Sequence, residues 1–341
     1  MRLLVVTQAV DLDNPVLGFF HRWIEDFSTR YEKVVVICLF EGRHNLPQNV
    51  EVFSLGKEKR EAYKPEYVQR FLALAWGLRQ QYDSVFVHMN QEYVVIAGWL
   101  WMLLGKKVYL WRNHYESNPM TGFAAFFCTK MFCTSKYSYI TKYKKTVLMP
   151  PGIDTEVFKQ HDTPRKEGVL SLGRIAPSKR IEVLIDAIAD LSKKGTQLQA
   201  HIYGDSLPED AQYGAGLKKL AQEAQIEHLV HFFPAVRNSD TPALYSGHEI
   251  FVNCSKSGMY DKTIFEAAAC GTLSIASSQD YAAIADPLLT FDGTSADLAK
   301  KLHRIQTLST AGREVLRKKG MELAAANSLK MLGERLAQEI A

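Results

Sequence analysis

The stretch Ser257 to Gly271 concentrates polar chemistry in a short space, with Asp261, Lys262 and Glu266 set among glycine and small residues. A glycine-containing loop that runs into a helix presents that helix's first backbone N–H groups to an anion. Glu266 falls on the first turns of this helix, and Gly271 marks where it stops. A carboxylate cannot itself bind a phosphate, but its two oxygens can accept hydrogen bonds from a sugar diol such as a ribose while the N–H groups face phosphates. The combination suggests a nucleotide-sugar site. The alternative is a first-turn charge that only stabilises the helix dipole.

Such a loop needs a strand behind it and a sheet around it. Leu3–Thr7, Val34–Leu39, Val50–Leu55, Ser84–His88 and Lys107–Trp111 are short apolar or β-branched runs, which predicts strands. Gly18 to Tyr31, Glu66 to Tyr82 and Tyr93 to Leu104 have helical apolar spacing and fall between several of them. That alternation implies an α/β fold with a parallel sheet and flanking helices. Met149-Pro150-Pro151-Gly152 breaks any regular element, and a domain boundary is expected there. Beyond it the pattern begins again. Strands are expected at Val169–Leu172, His201–Tyr203, Val230–Phe232, Ile250–Val252 and Thr272–Ile275, and helices at Ile181–Lys194, Ala215–Gln225, Thr241–Ser246, Ile264–Cys270 and Ala296–Leu308. The expected domains are 1–150 and 151–326. Helix-favouring sequence from Ala311 to Ala341 breaks near Ala326-Asn327-Ser328, so a last helix at about 327–341 can return to the first domain.

Composition narrows the class of protein. With 341 residues, two cores are expected, and 47% hydrophobic against 23% charged residues is ordinary for a globular chain. Five scattered cysteines, mostly in apolar runs, fit reduced thiols in a cytoplasmic protein rather than a disulfide framework. Cys128 and Cys133 lack a partner at zinc-site spacing, so no metal is expected. No signal peptide or membrane span is read, the longest apolar run being Tyr93 to Leu104. Net charge is +4, but residues 1–150 hold 19 Lys and Arg against 13 Asp and Glu. Lys57, Lys59, Arg60 and Lys64, with Lys136, Lys142, Lys144 and Lys145, can meet an anionic membrane at its inner face or an anionic acceptor; solvated helix faces are the alternative. Nothing accompanies that charge to suggest nucleic acid.

Longer motifs carry a resemblance. Pro151-Gly152-Ile153-Asp154-Thr155-Glu156-Val157-Phe158, Leu170-Ser171-Leu172-Gly173-Arg174-Ile175-Ala176-Pro177-Ser178-Lys179-Arg180, His201-Ile202-Tyr203-Gly204-Asp205, Phe232-Phe233-Pro234-Ala235-Val236 and the Ser257–Gly271 segment follow one another as in a known family. The chain resembles a GT-B, family-4-like retaining glycosyltransferase (glycosyl transferases group 1). His88 to Tyr93 and Leu110 to His114 match more loosely. The resemblance implies two Rossmann-like doubly wound domains facing across a cleft, the first holding the acceptor and the second the nucleoside diphosphate sugar. It implies no cofactor, the nucleotide sugar being the donor substrate, and a glycan or lipid-linked acceptor in polysaccharide, lipopolysaccharide or glycolipid synthesis. Arg174 and Lys179, five positions apart after a strand end, are implied to offset the charge of the departing diphosphate. Glu266 is implied to hold the ribose, and His114 to face the donor sugar from the first domain. Gly204 and Val236 are implied to line the nucleotide edge, although each can equally be a turn glycine or a packing residue.

Two departures from the family stand out. Its usual first Glu, eight positions before Glu266, is Gly258 here, leaving Asp261 or backbone near Gly258 to hold the sugar and Lys262 to help neutralise phosphate. The loop after the first strand, Gln8 to Gly18, has one glycine, and Gly18 is the residue able to approach the diphosphate. A nucleotide-sugar epimerase of the same architecture and a catalytically weak sugar-nucleotide or glycan-binding protein remain the alternative functions.

Overall fold

The computed structural model describes residues 1–14, 16–59, 63–116, 118–257 and 261–340. It falls into two compact units, Met1–Pro150 with Leu329–Ala341, and Pro151–Ser328. Each is built on one all-parallel sheet.

In the first unit the strands are β1 (Arg2–Val10), β2 (Lys33–Glu41), β3 (Val50–Ser54), β4 (Ser84–His88), β5 (Lys107–Trp111), β6 (Lys130–Cys133) and β7 (Thr146–Leu148). They lie in the order β3-β2-β1-β4-β5-β6-β7. The interiors of β1, β2 and β4 are buried continuous apolar runs, as a sheet covered on both faces requires. Covering it are α1 (Phe19–Arg30), α2 (Lys64–Gly77), α3 (Gln91–Leu103), α4 (Pro119–Phe127) and, from the far end of the sequence, the helix Leu329–Glu339. That last helix sets Leu332 and Leu336 into the cluster around Phe20, Trp23 and Phe27 of α1. Its Gly333 lies so close to α1 that a Cβ there would be 1.9 Å from Asp26 Oδ2. Glu339 also accepts from Lys130 Nζ at 2.8 Å.

The second unit contains β8 (Lys166–Leu172), β9 (Ala200–Tyr203), β10 (Val230–Phe233), β11 (His248–Asn253) and β12 (Leu273–Ala276), in the order β10-β9-β8-β11-β12. Its helices are α5 (Ile181–Lys193), α6 (Ala211–Glu223), α7 (Thr241–Ser246), α8 (Lys262–Ala269), α9 (Gln279–Ala282), α10 (Ser295–Gln306) and α11 (Thr310–Ala326); the helix Leu329–Glu339 is therefore α12. α8 ends in a two-bond glycine cap. Gly271 has φ +74° and donates to the Ala268 carbonyl at 3.0 Å, and Thr272 donates to Ala267 at 3.0 Å. Where the chain enters and leaves this unit, Gly152 N–H and Ile153 N–H both donate to the Asn327 carbonyl, at 3.1 and 3.0 Å.

Some elements differ from the sequence reading. β6, β7, α4 and α9 were not expected; the two strands are only four and three residues long, too short for a period to show. The helix expected over Glu66 to Tyr82 stops at Gly77, because Tyr82 turns inward, donating to the Ala75 carbonyl at 2.7 Å and accepting from Trp101 Nε1 at 3.2 Å. α6 starts earlier than Ala215, since a 3₁₀ turn at Pro208–Asp210 leads directly into it.

Candidate active site

In the second sheet β8 and β11 are neighbours whose connections run to different sides, and the carboxyl ends of such strands leave a crevice between loops. Residues 173–180 follow β8 and residues 254–261 follow β11.

The loop after β8 is fixed by its backbone. Gly173 N–H donates to Tyr203 O at 3.1 Å and Ile175 N–H to Asp205 O at 3.0 Å, while Ile175 and Ala176 are buried. Arg174 between them is left exposed, with no side-chain hydrogen bond or ion pair among the described residues. Lys179 closes a 3₁₀ turn, and Arg180 after it takes a left-handed conformation at φ +52°. That strain is held by Arg180 Nη2 donating to Gly293 O at 2.9 Å and by α5 beginning at once. Gly204, after β9, has φ +153°, and a Cβ there would be 1.9 Å from Gly173 O. Its lack of a side chain is what lets the two loops cross. Val236, after β10, is half-buried.

Across the crevice, Asp261 occupies the N-cap position of α8 without capping it. Its Oδ2 instead pairs with Lys179 Nζ and accepts from Asn253 Nδ2 at 2.9 Å and Ser255 Oγ at 3.2 Å. Burial pushes the Asp261 carboxyl up, but the Lys179 charge and these donors hold it below its ordinary value. The Asp261 carboxylate is thus turned to these partners and not to the first-turn N–H groups of α8. Asp261 tethers the cation of one loop to the start of the helix that follows the other.

Glu266 is 7% exposed and accepts from Tyr245 Oη at 3.4 Å. Burial raises its carboxyl, with Lys262 opposing and Asp261 adding to the rise. Burial likewise lowers Lys262, against the pull of Glu266 and Asp154, and its Nζ donates to Gly152 O at 3.3 Å. The structure therefore brings Lys179, Asp261, Lys262 and Glu266 together through two short networks, with Arg174 on the loop beside them. Gly258 lies outside the described residues.

The other expected residues belong to the first unit. Gly18 precedes α1 and donates to Asn14 O at 3.0 Å, where a Cβ would be 2.7 Å from that same oxygen, so it closes the loop after β1 on itself. His114 follows β5; its Nδ1 accepts Glu116 N–H at 3.0 Å, so the neutral ring carries its proton on Nε2. Its ring stacks on Tyr115, with centroids 5.0 Å apart. His88, at the end of β4, is instead a core residue, 2% exposed and stacked on Phe20 at 3.9 Å.

Sequence reasoning missed Asn253, Ser255, Tyr245 and Arg112. The first two had a visible signal, polar residues ending an otherwise apolar strand; Tyr245 had none. Arg112 follows β5, and its Nη1 is buried with no hydrogen-bond partner among the described residues, as is Thr134 Oγ1 after the adjacent β6. Burial lowers the Arg112 pKa, although Glu92 pulls it up. Among the described residues no group of His, Cys, Asp and Glu is arranged to hold a metal ion, and no helix is long and apolar enough to cross a membrane.

The two parallel sheets with their flanking helices have the GT-B fold, and residues 153–284 match the family of glycosyl transferases group 1. That match lies within the second unit and covers 132 of the 341 residues, so it is this part of the chain that is similar to the group 1 glycosyltransferases. Mannosylfructose-phosphate synthase of Agrobacterium fabrum is 30% identical over 148 residues, 39% of this chain and 33% of its own length. Alpha-monoglucosyldiacylglycerol synthase of Streptococcus pneumoniae is 27% identical over 158 residues, covering 42% and 34%. The chain thus spans about a third of the length of these curated relatives. The fold is shared throughout with Anabaena HepE, solved in complex with UDP and glucose, at TM-score 0.78 and 17% identity over 98% of both chains.

Proposed function

We propose that the protein is a retaining, metal-independent glycosyltransferase that moves a sugar from a nucleoside diphosphate sugar to an acceptor hydroxyl. The observation that carries this reading is the Lys179–Asp261 pair, which joins the two loops of the crevice and sets a cation beside the start of α8, with Arg174 exposed on the same loop as Lys179. In the reaction the acceptor oxygen bonds to the anomeric carbon as the bond from that carbon to the β-phosphate oxygen breaks. The electron pair stays on the phosphate, which also draws the acceptor proton. Arg174 and Lys179 meet the charge that develops there, a task otherwise given to a metal ion. Glu266 takes the ribose hydroxyls, and residues near Gly204 and Val236 line the nucleotide. Asp261 serves as a positioning residue for Lys179.

HepE binds UDP and glucose, and the pneumococcal relative makes a glycolipid; these names order the substrates to try. UDP-, GDP- and ADP-sugars are screened by thermal shift, and the stabilising donor is then offered with soluble and lipid-linked glycans. Transfer with retained anomeric configuration is expected. Arg174→Ala, an exposed change, should leave the melting temperature unaltered and lower kcat/KM by about 10²–10³. Donor converted to an epimer without acceptor, or no nucleotide sugar bound, would refute the reading.

A further inference from the structure

The outer face of the first unit between α3 and α4 is apolar where a surface helix pair is ordinarily polar. α4 has no charged residue and α3 has none after Glu92. Their inner sides bury Ala97, Trp101 and Ala124, while Trp99 (47%), Met102 (53%), Leu103 (75%), Phe123 (55%) and Phe126 (71%) are exposed. Helical spacing puts the three α3 residues on one side of that helix and the two phenylalanines on one side of α4. The helices meet closely, since a Cβ on Gly98 would be 2.5 Å from the Phe127 ring. Trp99 and Phe126, each next in sequence to that seam, both emerge to solvent. A helix apolar on all sides is normally enclosed, and this pair is enclosed on one side only.

The charge around this face is mostly of one sign, Glu92 at the start of α3 being the exception on that helix. Residues 93–153 hold eight Lys and Arg and a single acid, Glu116. Lys142 lies over the rings of Tyr139 and Tyr143, at 3.7 and 5.0 Å from their centroids. The Tyr143 hydroxyl in turn is 3.4 Å from the Cβ position of Gly122 on α4. Lys145 Nζ donates to the carbonyls of Ala125 and Cys128 at the end of α4, both at 2.7 Å. Lys107, just after α3, and Lys144 are exposed.

We infer that this face docks on an anionic lipid bilayer, with Trp99, Leu103, Phe123 and Phe126 entering the acyl boundary and the flanking lysines meeting headgroup phosphates. A second copy of the chain is the poorer occupant, because a symmetric contact would set the same cations against themselves. A bilayer takes aromatic and aliphatic tips and rewards every neighbouring lysine. The inference is independent of the proposed reaction, since vesicle binding alone reads it.

The test is flotation of the full chain with phosphatidylcholine vesicles, with and without phosphatidylglycerol. Binding to the anionic vesicles that weakens with salt is expected. Leu103→Glu with Phe126→Glu, both at exposed positions, should cut the partition by about tenfold or more with unchanged melting temperature; Lys142→Glu with Lys144→Glu should abolish the preference for anionic lipid. Failure of the native chain to bind anionic vesicles overturns the inference, and so does full binding by the Leu103→Glu, Phe126→Glu variant. A solution dimer broken by that variant, in a protein that ignores vesicles, would assign the face to a second copy instead.

Discussion

Replacing Asp261 by Asn keeps the shape of the side chain and removes the charge on which Lys179, Asn253 and Ser255 converge. The Lys179 and Asp261 side chains are 23% and 16% exposed, so the pair lies between a surface and a buried bridge. Breaking a buried pair costs about 3–5 kcal/mol and an exposed pair contributes at most ~1 kcal/mol. An intermediate loss of about 2 kcal/mol is therefore expected, with the amide still able to accept one of the donors. For a unit of this size that lowers the melting temperature by about 4–8 °C, read by calorimetry. The pH dependence has a definite sign. Asp261 is held below its ordinary value in the fold, so its contribution is present above the unfolded value of about 3.9 and disappears as pH falls through the lower folded value. The gap between native and Asp261→Asn protein should be constant near neutrality and close in acid. Activity follows a second logic. If Asp261 acts by positioning Lys179, Asp261→Asn lowers kcat by about tenfold or more in the native background. In a Lys179→Met background it should lower kcat hardly at all. Native stability in Asp261→Asn, or an equal loss of kcat in both backgrounds, would refute this account of the pair.

Lys262→Met removes the charge that opposes the burial of Glu266, so the Glu266 carboxyl should rise further. If the ionised carboxylate accepts the ribose hydroxyls, donor binding followed by calorimetry across pH should fail at a higher pH in Lys262→Met than in the native protein. Gly204→Ala must fit a methyl where Gly173 O is 1.9 Å away, and on the order of 3 kcal/mol should be lost, seen as a lower denaturant midpoint. An alanine variant with native stability would mean that the two loops do not cross as described.

Apolar spacing made many elements legible: the strands Ser84–His88 and Lys107–Trp111 and the helix Thr241–Ser246 have the bounds it assigns. It failed where an element was short, as at β6 and β7, or where its outer side was not polar. In α4, Phe123 and Phe126 face outward while Ala124 faces in, so no amphipathic stripe existed to be found. At the candidate site the residue types were readable, their partners less so. Asp261 and Lys179 stand 82 positions apart, and only the crossover of a parallel sheet makes them neighbours. Its place in the loop makes Asp261, or the backbone near Gly258, a candidate to hold the sugar, and nothing in the sequence shows that three donors converge on Asp261. Likewise the orphaned nitrogen of Arg112 depends on which neighbours the fold withholds.

The packing of α12 on α1 has a bearing on how the protein is made. The surface of Phe20, Trp23 and Phe27 is completed by Leu332 and Leu336, which are synthesised only after all of Pro151–Ser328. At about 5–20 residues per second, the first unit waits roughly 10–40 s with that apolar surface uncovered. The second unit needs no such delay, because its two ends already meet at the Asn327 carbonyl. On the ribosome the order of maturation is thus inverted: the unit begun first is the one finished last, and a chaperone that shields α1 would act in that interval.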